Sequence, residues 1–174
     1  QIEYRSHASP EPGLREVSPV RIVKYRGTWY LQAWSHEDKD KGSELRTYII
    51  ERVSRVVALA TNCVRVPMYK VKQAFDASYG LMSGAPGAAA ETAVIEVDGP
   101  PAVYAKNRVW HADQKVTQLP DGRVRIEVPY ANPAELIGDI HKLGSHAVVV
   151  APESLRKAAV EELRKTLARY GEAA

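Results

Sequence analysis

The stretch Arg26-Gly27-Thr28-Trp29-Tyr30-Leu31-Gln32-Ala33-Trp34-Ser35-His36 decides the reading of this chain. After a Gly27-Thr28 turn, the run from Trp29 to His36 reads as a β-strand with a period of two. Side chains alternate across a strand, so one face carries Trp29, Leu31, Ala33 and Ser35, and the other Tyr30, Gln32, Trp34 and His36. The first set suits a core, Trp29 included. The second is aromatic and polar, an odd composition for a face with nothing to bind.

The neighbouring strands extend the pattern. Val20 to Tyr25 is a short β-branched run before the turn, and Glu37 to Gly42 is a charged turn after it. Leu45 to Val53 reads as a third strand, with Arg46, Tyr48, Ile50 and Arg52 projecting the same way along roughly 20 Å. If the two strands pair across the charged turn, the Tyr30/Trp34/His36 and Arg46/Tyr48/Arg52 faces share one side. Phosphates need arginine's fixed fork of donors and bases need a flat π surface, so such a face fits a nucleic acid or nucleotide. Arginine and tyrosine on a strand also serve merely to solubilise it, and the pattern alone leaves both readings open.

Farther out, Ser54 to Leu59 extends the sheet after a bend, and Lys72 to Leu81 reads as a short helix. Several short strands with tight turns predict a small barrel. The small-residue stretch Ser83 to Ala90 reads as a loop, and beyond it the pattern changes. Thr92 to Val97 is a strand, Pro100 to Asn107 a short helix, and Val116 to Leu119 with Arg123 to Pro129 a hairpin over Asp121-Gly122. Asn132-Pro133-Ala134-Glu135 supplies an N-cap, a proline at N1 and an acid at N3, opening a helix that runs to Leu143-Gly144. His146 to Val150 is a buried strand, and Pro152 opens a last helix with Leu155, Ala159, Leu163, Leu167 and Tyr170 at helical spacing. The order β-α-β-β-α-β plus a terminal helix is ferredoxin-like. The expectation is an α+β chain of two domains, 1–72 and 73–174.

Bulk properties narrow the function. No apolar run approaches 18 residues, and Gln1 to Pro12 carries no signal-peptide core, so no membrane partner is expected and a cytoplasmic location is. The single cysteine, Cys63, excludes an internal disulfide and reads as a small buried hydrophobe. The net charge of +3 is uneven: residues 1–72 hold 13 Lys+Arg against 8 Asp+Glu, and residues 73–174 hold 11 against 13. That places the positive excess in the first half, a pointer to an anionic ligand. His7, His36, His111, His141 and His146 show no metal-ligand spacing, no glycine-rich phosphate loop is present, and no serine sits in a nucleophile elbow. Glu161-Glu162 belongs to a charged helix face. The chain is expected not to be an enzyme and to need no cofactor or metal.

These residues resemble a known family. Trp29-Tyr30-Leu31 is the tripeptide that names the WYL domain, Arg15-Glu16-Val17-Ser18-Pro19 resembles its upstream R-x-V-x-P element, and Leu45 to Val53 resembles its L-R-x-F-x-x-x-R-I strand. Arg108 to Gln114, Asp121-Gly122, Leu143-Gly144 and Ala151 to Arg156 resemble the WYL C-terminal extension. The resemblance implies an Sm-like, SH3-type small barrel followed by the ferredoxin-like extension. It implies the effector-sensing and homodimer-forming portion of a bacterial transcription regulator, the abrupt start at Gln1 reading as a fragment without the family's helix-turn-helix module for duplex DNA. In some DNA-damage regulators of the family the effector is single-stranded DNA. Carried over by position, the ligand residues would be Tyr30, His36, Arg46 and Arg52, joined through parity by Trp34 and Tyr48, with Arg15, Arg108 and His111 as further contacts. Tyr48 stands where many relatives have phenylalanine. The competing readings are a sensor of a nucleotide or other small anion, a nucleic-acid-processing enzyme and a protein-interaction domain.

Overall fold

The computed structural model describes residues 1–6, 9, 11–36, 44–75, 79–81 and 90–171. It is a mixed α+β chain of two compact units, Gln1–Asp76 and Ala77–Ala174. Expectations for residues 37–42 and 83–89 lie outside the described residues.

The first unit holds β1 (Ile2–Tyr4), β2 (Gly13–Arg15), β3 (Val17–Tyr25), β4 (Thr28–Ser35), β5 (Glu44–Ile49), β6 (Val53–Val56) and helix α1 (Met68–Phe75). They form two antiparallel sheets, in the orders β2-β1-β6 and β3-β4-β5. The β3–β4 turn falls one residue earlier than expected, on Arg26-Gly27. Both residues are left-handed, with φ of 50° and 89°, as a two-residue turn matched to strand twist requires. The expected strand Leu45 to Val53 is broken. A 3-10 turn at Ile50–Arg52 ends β5 and sends the chain into β6 of the other sheet. Ile2, Ala33 and Tyr48 are buried in this unit's core, with Tyr4, Val17, Leu31 and Val53 packed against them. Tyr4 meets Tyr48 edge to face at 5.1 Å, the favoured geometry for aromatic quadrupoles. Helix α1 starts four residues before the expected Lys72, where the carbonyl of Pro67 accepts the Val71 N–H at 3.3 Å. Its buried residues, Val71 and Phe75, are one turn apart.

The second unit runs β7 (Glu91–Val97), α2 (Gly99–Asn107), β8 (Lys115–Gln118), β9 (Val124–Tyr130), α3 (Pro133–His141), β10 (Ala147–Ala151) and α4 (Glu153–Arg169). Its four strands are antiparallel in the order β10-β7-β9-β8. Strict alternation in β9 buries Val124, Ile126, Val128 and Tyr130, which join Ile95, Val97, Leu136 and Leu155 in the core. Asn132 caps α3 by accepting the Ala134 N–H at 3.0 Å. Glu135 does not reach back to complete a capping box; its Oε1 accepts the Leu81 N–H at 2.9 Å instead. Nor is Asp121-Gly122 a two-residue turn. The Leu119 carbonyl accepts from Gly122, the Leu119 N–H donates to Arg123, and only Gly122 has positive φ, which makes a three-residue loop. In α4 the apolar stripe is buried only at Leu155 and Ala159; Leu163, Leu167 and Tyr170 are exposed.

Candidate functional site

Strand register decides which side chains can act together. Directly opposed residues of an antiparallel pair share a face. Between β4 and β5, Tyr30 opposes Ile49 and Trp34 opposes Leu45, whereas Arg46 opposes Ala33 and Tyr48 opposes Leu31. The expected joint face of Tyr30, Trp34, Arg46 and Tyr48 therefore does not form. A one-residue shift in register exchanges faces, and parity within each strand carries no information on register. Tyr48 is 4% exposed and belongs to the core, so it offers no stacking surface. Arg52 lies in the 3-10 turn, where strand parity no longer applies.

The remaining sequence-predicted residues divide by setting. Arg46 is exposed, and Arg15, Tyr30, Trp34, His36 and Arg52 are partly buried. The His36 backbone N–H donates to the carbonyl of Glu16, the residue after Arg15, at 3.0 Å. The ring Nε2 of His36 lies 2.9 Å from Ser18 Oγ, and that oxygen also accepts the Val64 N–H at 2.9 Å. Beside Tyr30 and Trp34 on their face, Gln32 is fully buried and its Oε1 accepts from Arg21 Nε at 2.5 Å. The Arg21 guanidinium sits 5.9 Å from the Phe75 ring centroid.

In the second unit, Arg108 and His111 serve local structure. Arg108 Nη2 pairs with Asp139 at 2.9 Å and with the Tyr79 hydroxyl at 3.0 Å, and its guanidinium stacks 4.4 Å from the Trp110 centroid. His111 Nδ1 accepts the Asp113 N–H at 3.0 Å. Cys63 is exposed, contrary to its reading as a buried hydrophobe. Among the described residues, no group of three or more His, Cys, Asp or Glu side chains is placed to hold a metal ion.

The tip of the β3–β4 hairpin carries a feature the sequence reading missed. Lys24 Nζ lies 5.5 Å from the Trp29 ring centroid, and the Arg26 guanidinium 4.9 Å from that of Tyr25. Trp29 is 46% exposed, not core. Placing the turn at Arg26-Gly27 pairs Lys24 with Trp29 and Tyr25 with Thr28, so a correct turn assignment was the signal that would have found it. Two cations and two rings, one of them a half-exposed indole, fall within the six residues Lys24 to Trp29 of the hairpin. That is the chemistry of stacking and phosphate contact.

Residues 1–58 match the WYL domain family and residues 89–167 the WCX domain family. The chain carries a WYL-domain segment followed by a WCX-domain segment. Over 99% of its length the WYL chain is 26% identical to Protein PafC of Mycobacterium tuberculosis, in both strain CDC 1551 / Oshkosh and strain H37Rv. It spans 51% of those relatives' length. Among solved structures, 97% of the WYL chain aligns with proteasome accessory factor B/C (PafBC) of Arthrobacter aurescens, at 21% identity, a TM-score of 0.40 and 24% of that chain. A CRISPR Cas-related protein aligns with 98% of it at 15% identity and a TM-score of 0.55, over 47% of that chain, a likeness of fold alone.

Proposed function

We propose that this WYL–WCX chain is the effector-sensing and dimerisation portion of a transcription regulator, and that its effector is single-stranded DNA. The observation that carries the reading is the pairing of cations with aromatic rings at the β3–β4 hairpin, Lys24 with Trp29 and Arg26 with Tyr25, within the WYL-matched residues. Exposed Arg46 in β5 and the +5 balance of residues 1–72 add to it. Bases stack on exposed rings while arginines neutralise phosphates, and neither contact depends on base identity. Effector binding would then bias the arrangement of two protomers, and with it the helix-turn-helix modules that such regulators usually carry. We read the first unit as a small Sm-like barrel, supported by the 3-10 turn that passes the chain from one sheet to the other. The 4-1-3-2 antiparallel order of the second supports a ferredoxin-like reading. A cytoplasmic location belongs to the same proposal; no helix among the described residues is long and apolar enough to cross a membrane.

The test is fluorescence anisotropy with labelled single-stranded oligonucleotides of several lengths, against duplex and mononucleotide competitors, at two salt concentrations. Tight, length-dependent binding that weakens with salt is expected, because each phosphate contact contributes about −0.7 to the slope of log K against log salt. Arg46→Ala with Arg52→Ala should weaken it at least tenfold. Equal affinity for a mononucleotide would instead make the chain a sensor of a small anion, and unchanged affinity in the double variant would remove β5 and the 3-10 turn after it from the site.

A further inference from the structure

We infer a second, chemically different binding site in the WYL unit: a cavity between its two sheets that takes a neutral, largely apolar small molecule bearing one hydrogen-bonding head. It goes beyond the nucleic-acid reading and does not depend on it. The cavity is open to solvent on one side and has a volume of about 420 Å³, within the range of small-molecule pockets. Its walls are aliphatic: Ile22 and Leu31 from one sheet, Val53 and Val56 from β6, and Val57 and Leu59 from the segment that follows. Ile22 and Val56 are 63% and 73% exposed, so the walls present wet hydrocarbon whose burial by a ligand is favourable.

One end is polar, and it is built. Ser18 is 2% exposed and lines the cavity together with His36. Its hydroxyl oxygen accepts the Val64 N–H and meets His36 Nε2, both at 2.9 Å. That double engagement fixes the imidazole through one ring nitrogen and leaves Nδ1 for a ligand head. Of the effector residues expected from the sequence, His36 alone lines the cavity; Arg15, Arg46 and Arg52 do not, and the charged side chain among the described lining residues is Glu16. A phosphate or carboxylate ligand therefore lacks a guanidinium partner, whereas an aliphatic or aromatic body with a hydroxyl, amide or amine head fits both the walls and the end. The sole cysteine of the chain, exposed Cys63, lines the same cavity and supplies a chemical handle on it.

The test uses the whole chain and the neutral dye N-phenyl-1-naphthylamine. Saturable, one-to-one fluorescence enhancement with micromolar affinity is expected. Ile22→Trp, which fills the cavity from an exposed position, should weaken dye binding at least tenfold without lowering the melting temperature; Val57→Trp serves if that variant does not fold. As an independent arm, benzyl methanethiosulfonate converts the Cys63 thiol to a benzyl disulfide with release of methanesulfinate. The tethered ring should block the dye, while the methyl analogue should not. A non-saturable response, or full dye affinity after benzyl tethering, overturns the proposal and assigns any uptake to other apolar surface. Oligonucleotide binding is measured on the same samples. Dye binding without oligonucleotide binding overturns the nucleic-acid reading alone, and the reverse overturns the cavity alone.

Discussion

Asp139 is 1% exposed, yet three side chains meet its carboxylate: the Tyr79 hydroxyl, Arg108 at 2.9 Å and Lys142 at 2.8 Å. A buried carboxylate that loses its cation is left with an uncompensated desolvation cost. Arg108→Met is therefore expected to destabilise the chain by about 2–3 kcal/mol in urea unfolding, below the figure for a fully buried pair because Arg108 is partly exposed and Lys142 remains. The same variant should leave oligonucleotide affinity unchanged, which separates a structural arginine from a ligand-binding one. Tyr130 offers a pH test. Burial pushes its phenol above the usual tyrosine range, and the neighbouring Glu91 carboxylate adds to the shift. As pH rises past about 10 the unfolded chain ionises first, so this contribution is intact below that pH and is lost as pH rises through the raised folded value. Tyr130→Phe should flatten the fall of melting temperature above about pH 10; an unchanged alkaline limb would remove Tyr130 as its source.

The β3–β4 hairpin places a non-glycine residue, Arg26, at φ 50°. A left-handed conformation costs an L-residue about 1–2 kcal/mol, and asparagine tolerates it better. Arg26→Asn should therefore raise stability by about 0.5–1 kcal/mol while weakening single-stranded oligonucleotide binding and lowering its salt slope. Gain of stability with full binding would show that the arginine is not there for a ligand. At the start of α3, Asn132→Ala removes a side-chain cap and should cost about 1 kcal/mol by thermal or urea unfolding.

Across the whole chain, charge separates by unit, whereas exposed apolar side chains occur in both. The positive excess lies in residues 1–72, and the second unit exposes Val148, Val150, Leu163 and Leu167. Wet aliphatic side chains on a strand and a helix are the composition expected of a face between copies. Sedimentation equilibrium should report a dimer, and Leu163→Glu with Leu167→Glu should shift it toward the monomer; a monomeric parent chain would exclude the dimer reading.

The sequence by itself determined the element order of the second unit, because strict alternation in Val124–Tyr130 and the Asn132-Pro133 cap are local signals whose physics is complete within a few residues. It also singled out Trp29–His36, since parity needs only one strand. Only the tertiary structure decided which faces meet: the β4–β5 register sets Arg46 and Tyr48 against Ala33 and Leu31 rather than beside Tyr30 and Trp34. The 3-10 turn at Ile50–Arg52, the burial of Tyr48, the exposure of Trp29 and the cavity between the sheets likewise follow from how separate strands pack. Such non-local contacts depend on residues far apart in the chain, so no short window of sequence contains them.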